Sequence, residues 1–225
     1  MTEVQIRSKS RPVKDRARSG RADVGLGAAD VRRLAYEAMR RADAMGLAAG
    51  SEGVEAAAEA LDLGAVQRLA HRVRQAGIAR GPALAFDNVE VPTRAEIEGL
   101  LRVLITALEE SPAPKYEWPS LARIFEPEQL AALLGISVSS LRRYQAGERT
   151  TPDEVAARLH FLALVVGDLA GAYNEIGIRR WFERPRSQLG GRTPASYLTG
   201  EWDPGDEGPQ RVRELARALT TLAAT

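Results

Sequence analysis

The chain has 225 residues, a formal net charge of +1, 44% hydrophobic and 27% charged residues, two histidines and no cysteine. This supports a buried core over disorder throughout; it excludes disulfides, thiolate zinc sites and thiol nucleophiles, and leaves too few histidines for a histidine-built metal site. No apolar run approaches the roughly 20 residues of a bilayer span and the basic N-terminus lacks an apolar signal region, so a cytoplasmic protein is expected, with no cofactor, no metal and no membrane partner.

Residues 1–22 carry Arg7, Lys9, Arg11, Lys14, Arg16, Arg18 and Arg21 against Glu3 and Asp15, a net charge of +5. With almost no apolar residues, they read as a disordered basic arm. Two readings stay open: an arm that tracks phosphate or the minor groove, or a solvated tail. Nearly all bases in the chain are arginine, which a GC-rich coding sequence explains as readily as phosphate binding does.

Helical periodicity dominates from there and strand patterning is nearly absent, so the expected fold class is all-α. Residues 23–110 read as a helical N-terminal domain for dimerisation or partner binding. Val31, Leu34, Ala35, Ala38, Ala42 and Met45 form one stripe, ended by Gly46 or Gly50. Val66, Leu69, Ala70 and Val73 form a second, closed by Gly77. A loop follows from Gly81 to Pro92. Thr93 with Glu96 has capping-box spacing, opening a helix with Ile97, Leu100, Leu101, Leu104, Ile105 and Leu108 on one face. His71, with no second ligand at i+4, is expected at the surface. Ser111 to Pro114 breaks the pattern, and residues 111–119 read as a linker.

Residues 120–174 carry the informative segment. Glu128–Leu134 is a short amphipathic helix, Gly135 suits a left-handed turn, Ile136 can plug the corner and Ser137 is an N-cap. A second helix runs Val138–Ala146, with Leu141 and Tyr144 inward and Ser139, Arg142 and Arg143 outward. Two short helices joined by a glycine-containing turn make a helix-turn-helix, whose second helix enters the major groove. The candidate DNA-binding residues are Ser137, Val138, Ser139, Arg142, Arg143 and Arg149. Arginine pairs with guanine O6 and N7, serine serves several bases, Val138 suits a thymine methyl, and Arg149 suits a phosphate. From Lys115 to Arg158 six bases balance six acids, so this unit lacks a positive field of its own. Thr150–Glu154 restarts a helix, and residues 155–173 are apolar on nearly every side, as in a core or an oligomer interface. His160 is expected at its edge.

In residues 175–225, Gly177 is expected to break the long helix, a short helix presents Ile178, Trp181 and Phe182, Pro185 ends it, Gly190-Gly191 turns, and Thr193-Pro194 caps another short helix. Thr199–Gln210 reads as a loop before a final helix with Val212, Leu215, Ala216 and Leu219. The string Gly177, Trp181, Phe182, Pro185, Leu189, Gly190, Gly191, Pro194 and Leu198, placed after a helix-turn-helix, resembles the C-terminal domain of Xre/MbcA/ParS-type antitoxins. The resemblance covers roughly residues 120–225. It implies an all-helical, non-enzymatic antitoxin that neutralises a RES-domain, NAD-consuming toxin, represses its own operon and forms a homodimer or higher oligomer. It places Trp181, Phe182, Arg184, Leu189, Arg192 and Leu198 at the toxin or partner surface, with Trp181 and Phe182 part buried in the domain's own core and part framing that surface. The loop at 199–210 and the extra N-terminal residues depart from the family pattern. They keep a second reading in view: a stand-alone DNA-binding regulator that reuses the module for self-association or another partner. No nucleophile–base pair or phosphate loop supports an enzyme.

Overall fold

The computed structural model describes residues 29–48, 63–79, 81 and 93–223. The basic arm and most of the loop read at 81–92 lie outside the described residues. Among the described residues the fold is all-helical, without strands, and no helix is long and apolar enough to cross a membrane.

The N-terminal helices follow their sequence signals. α1 (Ala29–Ala44) buries Val31, Leu34, Ala35, Ala38 and Ala42, the stripe read at helical spacing. α2 (Leu63–Gln75) buries Val66, Leu69, Ala70 and Val73. α3 (Arg94–Glu110) opens with both halves of the capping box made by Thr93 and Glu96, which satisfies two orphan N–H groups of the first turn. Ile97, Leu101, Leu104 and Leu108 are its inward face, while Leu100 sits at the rim. His71 is exposed, as expected.

The expected linker is a correction. Residues 111–113 make the only break, and α4 (Pro114–Ile124) begins at once with proline at its first turn. Proline is tolerated there because its missing N–H would be unpaired anyway. Pro119 stands inside this helix, and Trp118, Leu121 and Ile124 are buried from it. The segment packs on the N-terminal helices rather than bridging away from them. Ser120 Oγ donates to the Asp43 carbonyl at 3.2 Å, and Gly46 (φ 75) lies so close to the Tyr116 carbonyl that a Cβ would collide with it.

α5 (Pro127–Leu134) and α6 (Val138–Gln145) form the helical pair read from the sequence. α7 (Asp153–Leu169) is the central element. From Leu159 to Leu169 every residue is buried, and α1, α4 and α9 (Glu207–Ala223) all pack on it. Its all-round apolar character thus serves the core of this chain rather than an interface between copies. Gly167 faces the Arg41 backbone and Ala44, which lets α1 cross closely. The same cluster of buried side chains runs from Val31 through Leu108 and Leu162 to Ala216.

α8 (Glu175–Glu183) holds a second correction. Gly177 does not break a helix but lies in the first turn of one, where its N–H donates to the Asn174 side chain at 2.8 Å. Asn174 is the N-cap. Two short 3-10 turns follow, Ser187–Leu189 and Pro194–Tyr197, the second capped by Thr193.

One buried polar pair ties α4 to α7. His160 Nε2 donates to the Glu109 carbonyl at 2.9 Å, and Nδ1 meets Glu117 Oε1 at 2.6 Å. His160 therefore sits inside the fold with both ring nitrogens engaged rather than merely packing at an edge. Burial pushes the Glu117 carboxyl above its usual range, against the pull of the His160 bond. A folded state that holds the proton more tightly than the unfolded chain is favoured at low pH and loses that advantage as pH rises through the raised value. Glu117→Gln supplies a neutral side chain at the same place. Its stability relative to the unaltered protein is expected to improve as pH rises from the ordinary carboxylate range through the raised value of Glu117, read in denaturant titrations. A gap that stays constant over that range would refute the assignment.

Candidate nucleic-acid interface and C-terminal surface

The helix pair is built from its turn outward. α5 ends in a Schellman arrangement. Gly135, at φ 68, donates to Ala132, and Ile136 donates to Ala131 at 3.0 Å. This satisfies two of the last carbonyls of the helix and reverses the chain. Ser137 then caps α6, its hydroxyl accepting from Ser140 N at 3.1 Å. Leu141 and Tyr144 anchor α6 in the core, with Tyr144 stacked beside Trp118 at 6.1 Å between ring centroids. Trp118 is itself held by an indole N–H donated to Thr151 Oγ1 at 3.0 Å.

That anchoring leaves Ser139, Arg142 and Arg143 exposed together, as helical spacing places them. Neither guanidinium has a hydrogen bond or ion pair among the described residues. Arg149 is exposed beyond the helix, its guanidinium 5.7 Å from the Tyr144 ring centroid. Two other sequence candidates are less available. The Ser137 hydroxyl is engaged with Ser139, Ser140 and the helix N-terminus. Val138 is half-buried and packs against the core, which limits its reach to a thymine methyl.

The C-terminal candidates divide. Arg184 and Arg192 are exposed, Arg192 lying 4.1 Å over the Tyr197 ring. Trp181, Phe182, Leu189 and Leu198 are 1%, 0%, 2% and 0% exposed. The expectation of a partner surface at these four is corrected: they fill the chain's own core. Phe182 meets Phe125 edge-on at 5.3 Å and Trp181 at 5.2 Å. The resemblance, not the residue pattern, put these two aromatics at a surface, and the space between α4 and the second 3-10 turn takes both.

Sequence reasoning missed Arg158 and Trp202. Trp202, in the loop between the second 3-10 turn and α9, is buried and meets Phe161 edge-on at 5.3 Å. Its one signal was a large aromatic side chain inside an acidic loop rich in glycine and proline. No group of three or more metal-ligating side chains occurs among the described residues.

No family model, curated protein or solved structure matches the chain.

Proposed function

We propose that this chain is a double-stranded DNA-binding regulator of the antitoxin type, in which α6 reads the major groove and the C-terminal half takes a protein partner. The DNA reading rests on one observation. Arg142 and Arg143 project with unpaired guanidinium groups, beside the exposed Ser139, from a helix whose opposite face is fixed by Leu141 and Tyr144. Guanidinium groups on a rigid helix that follows a tight turn suit bidentate pairing with guanine. Arg149, exposed past the helix, suits a phosphate contact. As a homodimer the protein would read half-sites about 34–36 Å apart.

The antitoxin role, with a RES-type toxin as partner and repression of its own operon, rests on the string at 177–198. Of the side chains that the resemblance assigns to a partner, Arg184 and Arg192 are exposed. The stand-alone regulator gains from a specific observation: Trp181, Phe182, Leu189 and Leu198 are used in the core. A neighbouring reading frame encoding a RES-like protein, and its stoichiometric capture by the full chain, favours the antitoxin.

The DNA reading is tested by selecting duplexes from a random library and measuring affinity for the selected site. Arg143→Ala is expected to weaken that binding by about 1–3 kcal/mol and relax base preference. Equal loss on all duplexes would make Arg143 a phosphate contact. Failure of the unaltered chain to enrich any sequence would remove the reading.

A further inference from the structure

The Schellman turn satisfies the carbonyls of Ala131 and Ala132 but leaves those of Leu133 and Leu134 without a partner inside α5. Both are supplied from far along the chain. Trp202 Nε1 donates to the Leu133 carbonyl at 3.0 Å. Arg158 Nη1 donates to the Leu134 carbonyl at 3.2 Å, while its Nε donates to the Trp202 carbonyl at 2.6 Å. The Gly200 carbonyl lies against Gly135, where any Cβ would collide with it. The loop at 200–202 is thus seated on the turn that sets the direction of α6, and Arg158 binds loop and turn with one guanidinium.

We propose that Trp202 and Arg158 are positioning residues for DNA recognition, a latch through which the C-terminal loop holds α6 at its reading angle. This rests on the DNA-binding reading. The physical case is one of geometry. Bidentate base pairing tolerates little misplacement, and α5 and α6 are joined by only three residues. A turn closed on its outer side by three separate contacts has a narrower range of interhelical angles than the Schellman bonds alone allow. The arrangement also places the C-terminal half, where a partner would bind, in direct contact with the DNA-reading unit.

Two variants separate positioning from bulk stability. Trp202→Phe keeps an aromatic ring for Phe161 and removes the N–H bond. Arg158→Lys keeps the charge, so electrostatic attraction to DNA is preserved, but it cannot bridge the Leu134 and Trp202 carbonyls as a planar fork does. Val212→Ala, a buried position on α9 away from the turn, serves as a destabilised control. Affinity for the selected duplex is expected to fall about tenfold in both latch variants, the change to which one lost buried hydrogen bond converts, with an unchanged salt slope. Amides of residues 136–140 are expected to exchange faster in both while those of α7 keep their protection. Val212→Ala should move neither readout. Should Trp202→Phe fail to fold, Arg158→Lys decides.

Equal affinity across all four proteins, a loss no larger than in Val212→Ala, or unchanged exchange at 136–140 would overturn the latch. Absence of duplex binding by the unaltered chain would instead remove the DNA reading beneath it. That outcome is distinct from latch failure, in which the unaltered chain and the variants bind alike.

Discussion

Replacing Asp168 by alanine is expected to destabilise the fold by about 3–5 kcal/mol, read as a shift of the denaturant midpoint at neutral pH. Asp168 stands on α7 at the meeting of α1, α3 and α9, buried among arginines. Arg41 Nη2 lies 3.9 Å from Oδ1, and Arg213 Nε and Arg217 Nε each lie 3.5 Å from Oδ2. Glu109 shares the load, with Arg41 at 3.3 Å, Arg213 at 2.6 Å and Arg217 also bonded to it. Arg41 further pairs with Glu37 at 2.8 Å. Burial pushes the Asp168 carboxyl up, and Arg213, Arg41, Arg217 and Arg40 pull it back. Burial likewise lowers the pKa of Arg40 and of Arg213. All three shifts signal charges held in a setting where each is tolerable only because the others are present. Removing the carboxylate leaves Arg41, Arg213 and Arg217 to share Glu109 and Glu37, an excess of positive charge in a largely buried setting, which costs more than the pair contributes. The double variant Asp168→Leu with Arg41→Met should therefore lose less than Asp168→Ala alone. A loss for Asp168→Ala below about 1 kcal/mol, the scale of exposed pairs, would show that the network is solvated.

This network also explains why a division of the chain at Ser111–Pro114 does not appear in the packing. Its members come from the first, third, seventh and ninth helices. Charges so far apart in sequence carry no local signature of their pairing. Long-range packing was similarly invisible for α7. Its apolar circumference announced burial, but nothing in residues 155–173 said that α1, α4 and α9 would cover it. What was legible was local. The capping box at Thr93, the left-handed Gly135 and the Ser137 cap each depend on a few adjacent residues, and each is present. α4 was missed for a local reason too. Ser111 to Pro114 reads as a break, although Pro114 is at the helix start, and the core interactions of Trp118 and Leu121 offset Pro119 inside the helix. Gly177 misled because the stronger cue was Asn174, three residues earlier, which caps the helix in which the glycine lies. At the candidate interface, exposure of Ser139, Arg142 and Arg143 followed from periodicity, whereas the latch from residues 200–202 involves partners on other elements.

The C-terminal aromatics give the second large effect. Trp181→Ala is expected to cost about 3–5 kcal/mol, the range for emptying a large aromatic site in a core. Trp181 packs edge-on against Phe182 and beneath the Arg186 guanidinium, 5.3 Å from its ring centroid, so its removal opens a hole between α8 and the adjacent turns. Its indole N–H, by contrast, is buried with no hydrogen-bond partner. Replacing indole by a benzene ring discards that unpaired donor along with some contact area, and the two changes oppose each other. Trp181→Phe should accordingly cost far less than Trp181→Ala in the same unfolding titration. The contrast discriminates between the two roles open to this residue. A side chain held mainly for a partner would tolerate alanine in the isolated protein and lose only partner capture. A core side chain loses stability first, and partner binding falls only as the folded fraction falls. The joint replacement of Arg184 and Arg192 by alanine should do the reverse, moving stability by about 1 kcal/mol, the scale of the exposed Arg192–Tyr197 contact, while weakening capture of any partner that uses this surface. Stability retained in Trp181→Ala would return the aromatic pair to the partner surface.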